Sequence, residues 1–135
     1  MDRERTRQYY AAMTEEDLCQ CEYCRTYAKR IRDALPEMAS YLQSFGVDIE
    51  KPFEVIPLYE EEGEMLYTGA QYLVCGDRDS FSEARINGVS VVVTDSHPVS
   101  DLQEEHFVIE IQADHLIRLK SLFPKIHQNA ESKRG

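Results

Sequence analysis

The sequence predicts an α+β fold, with two N-terminal helices packed on a mainly antiparallel sheet of about four to five strands and a short C-terminal helix. Two observations support this prediction. Apolar residues recur at gaps of three and four positions through residues 18–35, which is the period of a helix with one buried face. From residue 53 onward, runs rich in β-branched and aromatic residues are separated only by short turns, so neighbouring strands should pair antiparallel.

The first helix is predicted to begin at Thr14, because threonine is a good helix cap and residues 15–17 place three acids in the first turn. Pro36 ends this helix and is suited to the first position of a second one. Gly46 is expected to stop the second helix. The buried stripe of the first helix is Leu18, Cys21, Cys24, Ala28, Ile31 and Leu35, and that of the second is Met38, Leu42 and Phe45.

The first two strands are predicted at residues 53–59 and 65–75, joined by an acidic turn. Pro57 has no N–H to donate to a sheet ladder, which places the first strand at an edge of the sheet or at a bulge. Gly69 indicates a further bulge in the second strand.

Asn87-Gly88 between apolar residues is the strongest local signal, because this dipeptide favours the positive φ angles of a two-residue hairpin. The second arm of the hairpin is the β-branched run 89–94, and a further strand follows at 107–111, where apolar and polar residues alternate. Asp114 is expected to cap a closing helix that ends at Pro124. The apolar residues of this helix would be Leu116, Leu119, Leu122 and Phe123.

These elements define three parts of the chain. Residues 1–13 are charged and aperiodic, and we expect them to form a flexible lead-in. We expect residues 14–124 to form a single α+β domain and residues 125–135 to form a flexible tail. A chain of 135 residues can bury a sufficient core without a metal or disulfides.

The net charge of −10 narrows the classes of partner. An acidic surface repels phosphate, so we expect neither nucleic acid nor an anionic membrane as a partner. The sequence contains no apolar run long enough to span a membrane and no signal-peptide pattern, and we expect a cytoplasmic protein.

The four cysteines are the main chemical feature of the sequence. Cys19, Cys21 and Cys24 lie within six residues, whereas Cys75 ends a predicted strand. In one interpretation Cys21, Cys24 and Cys75 are small core residues. In a second, all four cysteines bind a structural zinc ion, although a single Cys-x-x-Cys pair is a weak zinc signal. We expect no cofactor unless the cysteines hold zinc.

In a third interpretation, Cys21 and Cys24 form a thiol redox pair. Such a pair needs a helix N-terminus to lower the pKa of its first thiol. With Thr14 as the cap, Cys21 would lie about two turns inside the helix, where this effect has faded. The acidic residues nearby also disfavour a thiolate.

The sequence contains no phosphate loop, zinc-protease motif or nucleophile elbow, and no residues are assigned a catalytic role. We therefore expect a non-enzymatic binding domain whose partner is another protein. The eight tyrosines are consistent with this, because tyrosine supplies large amphipathic contact area, but they can equally line the boundary between helices and sheet. The oligomeric state is left open.

Several segments resemble a group of small, uncharacterised bacterial proteins. The shared features are a Cys-x-x-Cys-Arg-x-aromatic motif at residues 21–27 and the Phe-Gly-Val-Asp-Ile-x-Lys-Pro-x-Glu motif at residues 45–54, with further likeness at residues 72–76 and 107–111. The resemblance implies membership of the group and no particular activity. The chain departs from the group's pattern in its closing segment, which has no tryptophan. Small acidic bacterial domains include immunity-type binders of toxins, which is an analogy of general appearance only.

Overall fold

The computed structural model describes residues 1–124 and has helices on one face of an antiparallel sheet. Within these residues, the helices are α1 (Arg3–Ala12), α2 (Glu22–Ala34) and α3 (Pro36–Gln43), and short 3₁₀ turns lie at Glu15–Asp17 and Arg78–Ser80. The strands are β1 (Glu54–Glu61), β2 (Glu64–Cys75), β3 (Ala84–Ile86), β4 (Val89–Thr94) and β5 (His106–Lys120). The predicted α+β class is confirmed.

The five strands lie in the order β1-β2-β5-β4-β3, and every neighbouring pair is antiparallel. The long strands β2 and β5 form the centre, where Tyr72 pairs with Ile109. The antiparallel sheet follows from a chain that contains no helical crossover between its strands. Among the described residues, no helix is long and apolar enough to cross a membrane.

Three local predictions about the strands are confirmed. Strand β1 is an edge strand, and its register shifts at Pro57, which has no N–H to donate. The β2–β5 register shifts between Tyr67 and Gly69, so Gly69 does lie at a bulge. Asn87 and Gly88 both have positive φ angles, of 49° and 80°, and connect β3 to β4.

The predicted closing helix is wrong, because this segment is the second half of β5. Ile117 and Leu119 alternate with exposed residues and bury their side chains on the core face. They pair with Tyr67 and Met65 of β2, so a strand satisfies the backbone hydrogen bonds of both segments. Spacing alone is compatible with either structure, and the pairing with β2 decides it.

Helix α1 occupies most of the segment predicted as a lead-in. Asp2 caps the helix by accepting a hydrogen bond from the Arg5 N–H at 3.0 Å. Tyr10 is buried and donates to the Leu73 carbonyl at 2.8 Å, and the Thr6 hydroxyl accepts from the Cys75 N–H at 3.0 Å. These hydrogen bonds to β2 hold the helix in place, and the helix has no broad apolar stripe. The predicted tail, residues 125–135, lies outside the described residues.

Buried tyrosines join the helices to the sheet. Tyr27 of α2 donates to the Tyr72 hydroxyl oxygen at 2.6 Å, because the Tyr72 hydroxyl donates its own proton to the Ile49 carbonyl at 2.8 Å. Tyr67 donates to the Tyr23 carbonyl at 2.6 Å. Each buried hydroxyl therefore has a partner, which offsets the cost of removing it from water.

We expect these tyrosines to make the protein unstable in alkali. Burial raises the pKa of Tyr27, Tyr72 and Tyr10 above the ordinary value of 10.0, whereas in the unfolded chain they ionise at that value. Their contribution is therefore present below pH 10 and is lost as the pH rises further. Each group should lower the free energy of unfolding by about 1.4 kcal/mol per pH unit above 10. Urea unfolding at a series of pH values from 8 to 11 measures this loss of unfolding free energy.

The variant Tyr27→Phe serves as the comparison for the alkaline experiment. It removes one titrating hydroxyl. Above pH 10, the free energy of unfolding of the variant should therefore fall less steeply than that of the wild type, by about 1.4 kcal/mol per pH unit. An unfolding free energy that stays constant to pH 11 would contradict the prediction.

Candidate functional site

Cys21 is the N-cap of α2, which places the cysteine motif at the start of a helix. The helix predicted from Thr14 is interrupted: Thr14 instead begins the 3₁₀ turn, where its N–H donates to Asp17 at 2.8 Å. The chain then leaves helical geometry before Glu22. The Cys21 sulfur accepts from the Cys24 N–H at 3.4 Å and so caps the first turn of α2.

The ligand atoms of Cys19, Cys21 and Cys24 all lie within 4.8 Å of one another. Cys21 and Cys24 meet because they are three positions apart at the first turn of α2. Cys19 comes from the irregular stretch before the helix. Cys19 and Cys21 are exposed and Cys24 is half-buried, so the cluster is open to solvent on one side.

The pKa values of Cys21 and Cys24 shift in opposite directions. Burial raises the pKa of Cys21, but hydrogen bonds from the Cys24 backbone and from the Cys24 and Cys19 thiols outweigh it, so the pKa of Cys21 is lowered from 9.0. Burial raises the pKa of Cys24, and its hydrogen bonds to the other two sulfurs raise it further. Cys21 therefore loses its proton more readily than Cys24, and Cys24 donates hydrogen bonds that stabilise the Cys21 thiolate.

Cys75 does not join the cluster. It lies at the end of β2, paired with His106, and its carbonyl accepts from the Asp2 N–H at 2.7 Å. Its side chain is buried beside Thr6, and burial raises the pKa of this thiol. The structure thus brings together three of the four cysteines of the predicted zinc site and separates the fourth.

An open cleft of about 520 Å³ adjoins the cluster. Cys19 and Cys24 line it together with residues 50–55 and Leu122. Charged residues of both signs surround it, including Lys29, Lys51 and acids of the 3₁₀ turn. The sequence did not reveal this cleft, because its walls come from three distant parts of the chain.

The end of the described chain lies against the start of α2. The Leu122 N–H donates to the Thr26 hydroxyl at 3.3 Å. The Arg25 guanidinium lies over the Phe123 ring, 4.9 Å from its centre. Residues 121–124 therefore run beside the cysteine cluster, although about 100 positions separate them in sequence.

The protein is thus a small α+β domain with a cluster of three thiols at the N-terminus of helix α2. No protein-family model matches the chain, and neither a curated protein nor a solved structure matches it. The resemblance to the bacterial group and the binding of another protein stay predictions, and function is argued from the site's geometry.

Proposed function

We propose that the protein is a zinc-binding domain that holds one Zn²⁺ through Cys19, Cys21 and Cys24. The observation that carries the proposal is the convergence of the three sulfurs to within 4.8 Å of one another. A tetrahedral zinc ion with ligands at about 2.3 Å holds its sulfur ligands about 3.8 Å apart, so only small side-chain movements are needed.

The surroundings of the cluster support thiolate ligands. The N-terminus of α2 directs its positive dipole end and the Cys24 N–H at the Cys21 sulfur. Soft thiolates select zinc and similar ions over calcium or magnesium, which prefer oxygen ligands. The ion would tie Cys19, which precedes α2, to the first turn of the helix, and so fix the irregular stretch between the 3₁₀ turn and α2.

Native mass spectrometry of the freshly purified full chain tests the proposal. We expect the native mass to exceed the denatured mass by one zinc ion, which acid should release. Three thiols should become reactive to an alkylating reagent when a chelator removes the ion. The matched variants are Cys75→Ser, which should keep the zinc, and a triple serine variant at the cluster, which should not. Equal native and denatured masses after supply of zinc would overturn the proposal.

A second candidate is a thiol redox pair, which the position of Cys21 at a helix N-cap favours. The sequence argument against it placed Cys21 two turns inside the helix, and that placement is wrong. The Cys21 thiolate would attack a small disulfide such as oxidised glutathione, and Cys24 would then displace the attached glutathione. The two protein sulfurs lose two electrons, and the glutathione leaves as one thiolate and one thiol.

The same mass measurement separates the two candidates. A zinc-free protein that loses two hydrogens on exposure to oxidised glutathione, with Cys19→Ser behaving like the wild type, favours the redox pair. A zinc-loaded protein whose thiols resist the same treatment favours the metal site, because thiolates bound to zinc are poorer nucleophiles toward the oxidant.

A further inference from the structure

We infer that a small peptide thiol, bound in the cleft beside the cysteine cluster, supplies the fourth ligand of the zinc ion, an inference that rests on the proposed zinc function. Zinc in proteins is mostly four-coordinate, and sites with three protein ligands keep the fourth position for water or a bound molecule. Within residues 1–124, the group that could hold the ion consists of Cys19, Cys21 and Cys24, with no histidine or carboxylate among them. The described ligand set therefore has one position for a ligand from outside it.

The cleft lies where such a ligand would bind. Cys19 and Cys24 both line it, so an ion held between their sulfurs lies at the cleft wall. Cys19 is exposed and Cys24 is half-buried, so within the described part of the chain these sulfurs are open to small molecules. The cleft volume of about 520 Å³ falls within the range of about 300–1,000 Å³ that is typical of small-molecule sites.

The charges around the cleft suit a ligand that carries carboxylate and ammonium groups. Lys29 and Glu54 line the cleft with exposed side chains, and neither takes part in an ion pair within residues 1–124. Lys51 also lines it, and its Nζ donates to the carbonyls of Tyr10 and Met13 at 2.8 and 2.9 Å, which fixes its charge in place. The two lysines can attract the carboxylates of a short peptide, and Glu54 can attract its ammonium group.

Sulfur is the ligand atom that completes this site most favourably. Zinc is commonly held by four thiolates, and soft ligands such as thiolates bind it well. On binding, the thiol of the peptide gives its proton to solvent and its sulfur forms the fourth bond to zinc. The water that otherwise holds this position leaves, and no atom changes its oxidation state. A cysteine-containing peptide the size of glutathione offers both the thiol and the charges that the cleft would recognise.

Titration of the cobalt-loaded full chain with reduced glutathione tests the inference, because the visible spectrum of Co²⁺ reports its ligands. The protein is purified with a phosphine reductant, so that no other thiol competes. We expect glutathione to strengthen the sulfur-to-cobalt charge-transfer band until one molecule is bound per metal ion. S-methylglutathione, which keeps the charges but has no free thiol, should leave this band unchanged. 2-Mercaptoethanol, which has the thiol but no charge, should bind at least about tenfold more weakly than glutathione.

Two charge-reversal variants test the placement of the ligand in the cleft. Lys29→Glu should weaken glutathione binding by about fivefold, because it reverses a charge on the cleft wall. Arg3→Glu makes the same change of net charge on α1, outside the cleft, and should bind glutathione like the wild type. Should glutathione leave the spectrum of the cobalt-loaded wild type unchanged, or should the two variants bind it equally, the inference is overturned and the zinc function stands. Failure of the wild type to bind either zinc or cobalt overturns both.

Discussion

Gly69→Ala is expected to destabilise the protein by at least about 3 kcal/mol and to leave much of it unfolded under ordinary conditions. A Cβ atom at this position would lie 1.9 Å from the Ile111 carbonyl oxygen and 3.1 Å from the Ile111 carbonyl carbon. Both strands are central, so neither backbone can move away without breaking the β2–β5 ladder. Urea unfolding followed by circular dichroism measures the loss.

Gly63→Ala is the matched control, because it makes the same change in the turn between β1 and β2. A Cβ atom there meets nothing within 4 Å, and the only strain comes from the φ angle of +82°. That strain costs about 1–2 kcal/mol. If Gly69→Ala lost no more stability than Gly63→Ala, the close approach of the two central strands would be refuted.

The second large effect is expected on zinc binding by the cluster of Cys19, Cys21 and Cys24. Cys24→Ser is expected to weaken zinc binding about 100- to 1,000-fold, because structural zinc sites gain about 10–16 kcal/mol from four ligands and each thiolate supplies several kcal/mol of it. Serine keeps the shape of cysteine, but its hydroxyl is a poor zinc ligand. Competition with a chelator of known affinity gives the ratio of the two dissociation constants.

Cys75→Ser makes the identical substitution outside the cluster. Since Cys75 lies at the far end of β2 beside α1, its replacement should leave the zinc affinity unchanged and lower only the stability of the fold. Equal losses of zinc affinity in the two variants would mean that the ion is held by the fold as a whole and not by the three converging sulfurs.

The structural features that were predicted correctly from the sequence are those that depend only on the chemistry of neighbouring residues. Asn87-Gly88 needs positive φ angles, and Pro57 cannot donate to a ladder, whatever the rest of the chain does. The segment from residue 114 is different. Leu116 and Leu119 fit a helix, whereas Ile117 and Leu119 fit a strand, and only the distant partner β2 decides between them.

Helix α1 escaped prediction for a related reason. Thr6 and Tyr10 are one helical turn apart, but their contribution is made by hydroxyl groups bonded to β2, which no measure of hydrophobic periodicity detects. Sequence patterns reveal buried apolar area much better than they reveal hydrogen bonds to a strand 63 to 69 positions away.

The site was predicted in part. The spacing of Cys19, Cys21 and Cys24 was sufficient to place them together, because all three belong to one short segment. The spacing also hid the break before α2, since Leu18 and Cys21 continue the helical period across it. The assignment of Cys75 needed long-range information, and the cleft and the return of Leu122 to α2 needed the fold.

The contact of Leu122 with α2 determines when the cleft beside the cysteine cluster is completed during synthesis. Leu122 leaves the ribosome roughly 100 residues after Cys24, which at about 5–20 residues per second corresponds to roughly 5–20 s. Throughout this interval α2 has no complete sheet to pack on, because β5 is one of the two central strands. The three thiols therefore pass through a nascent state in which they are exposed, and the cleft is completed only after Leu122 has been synthesised.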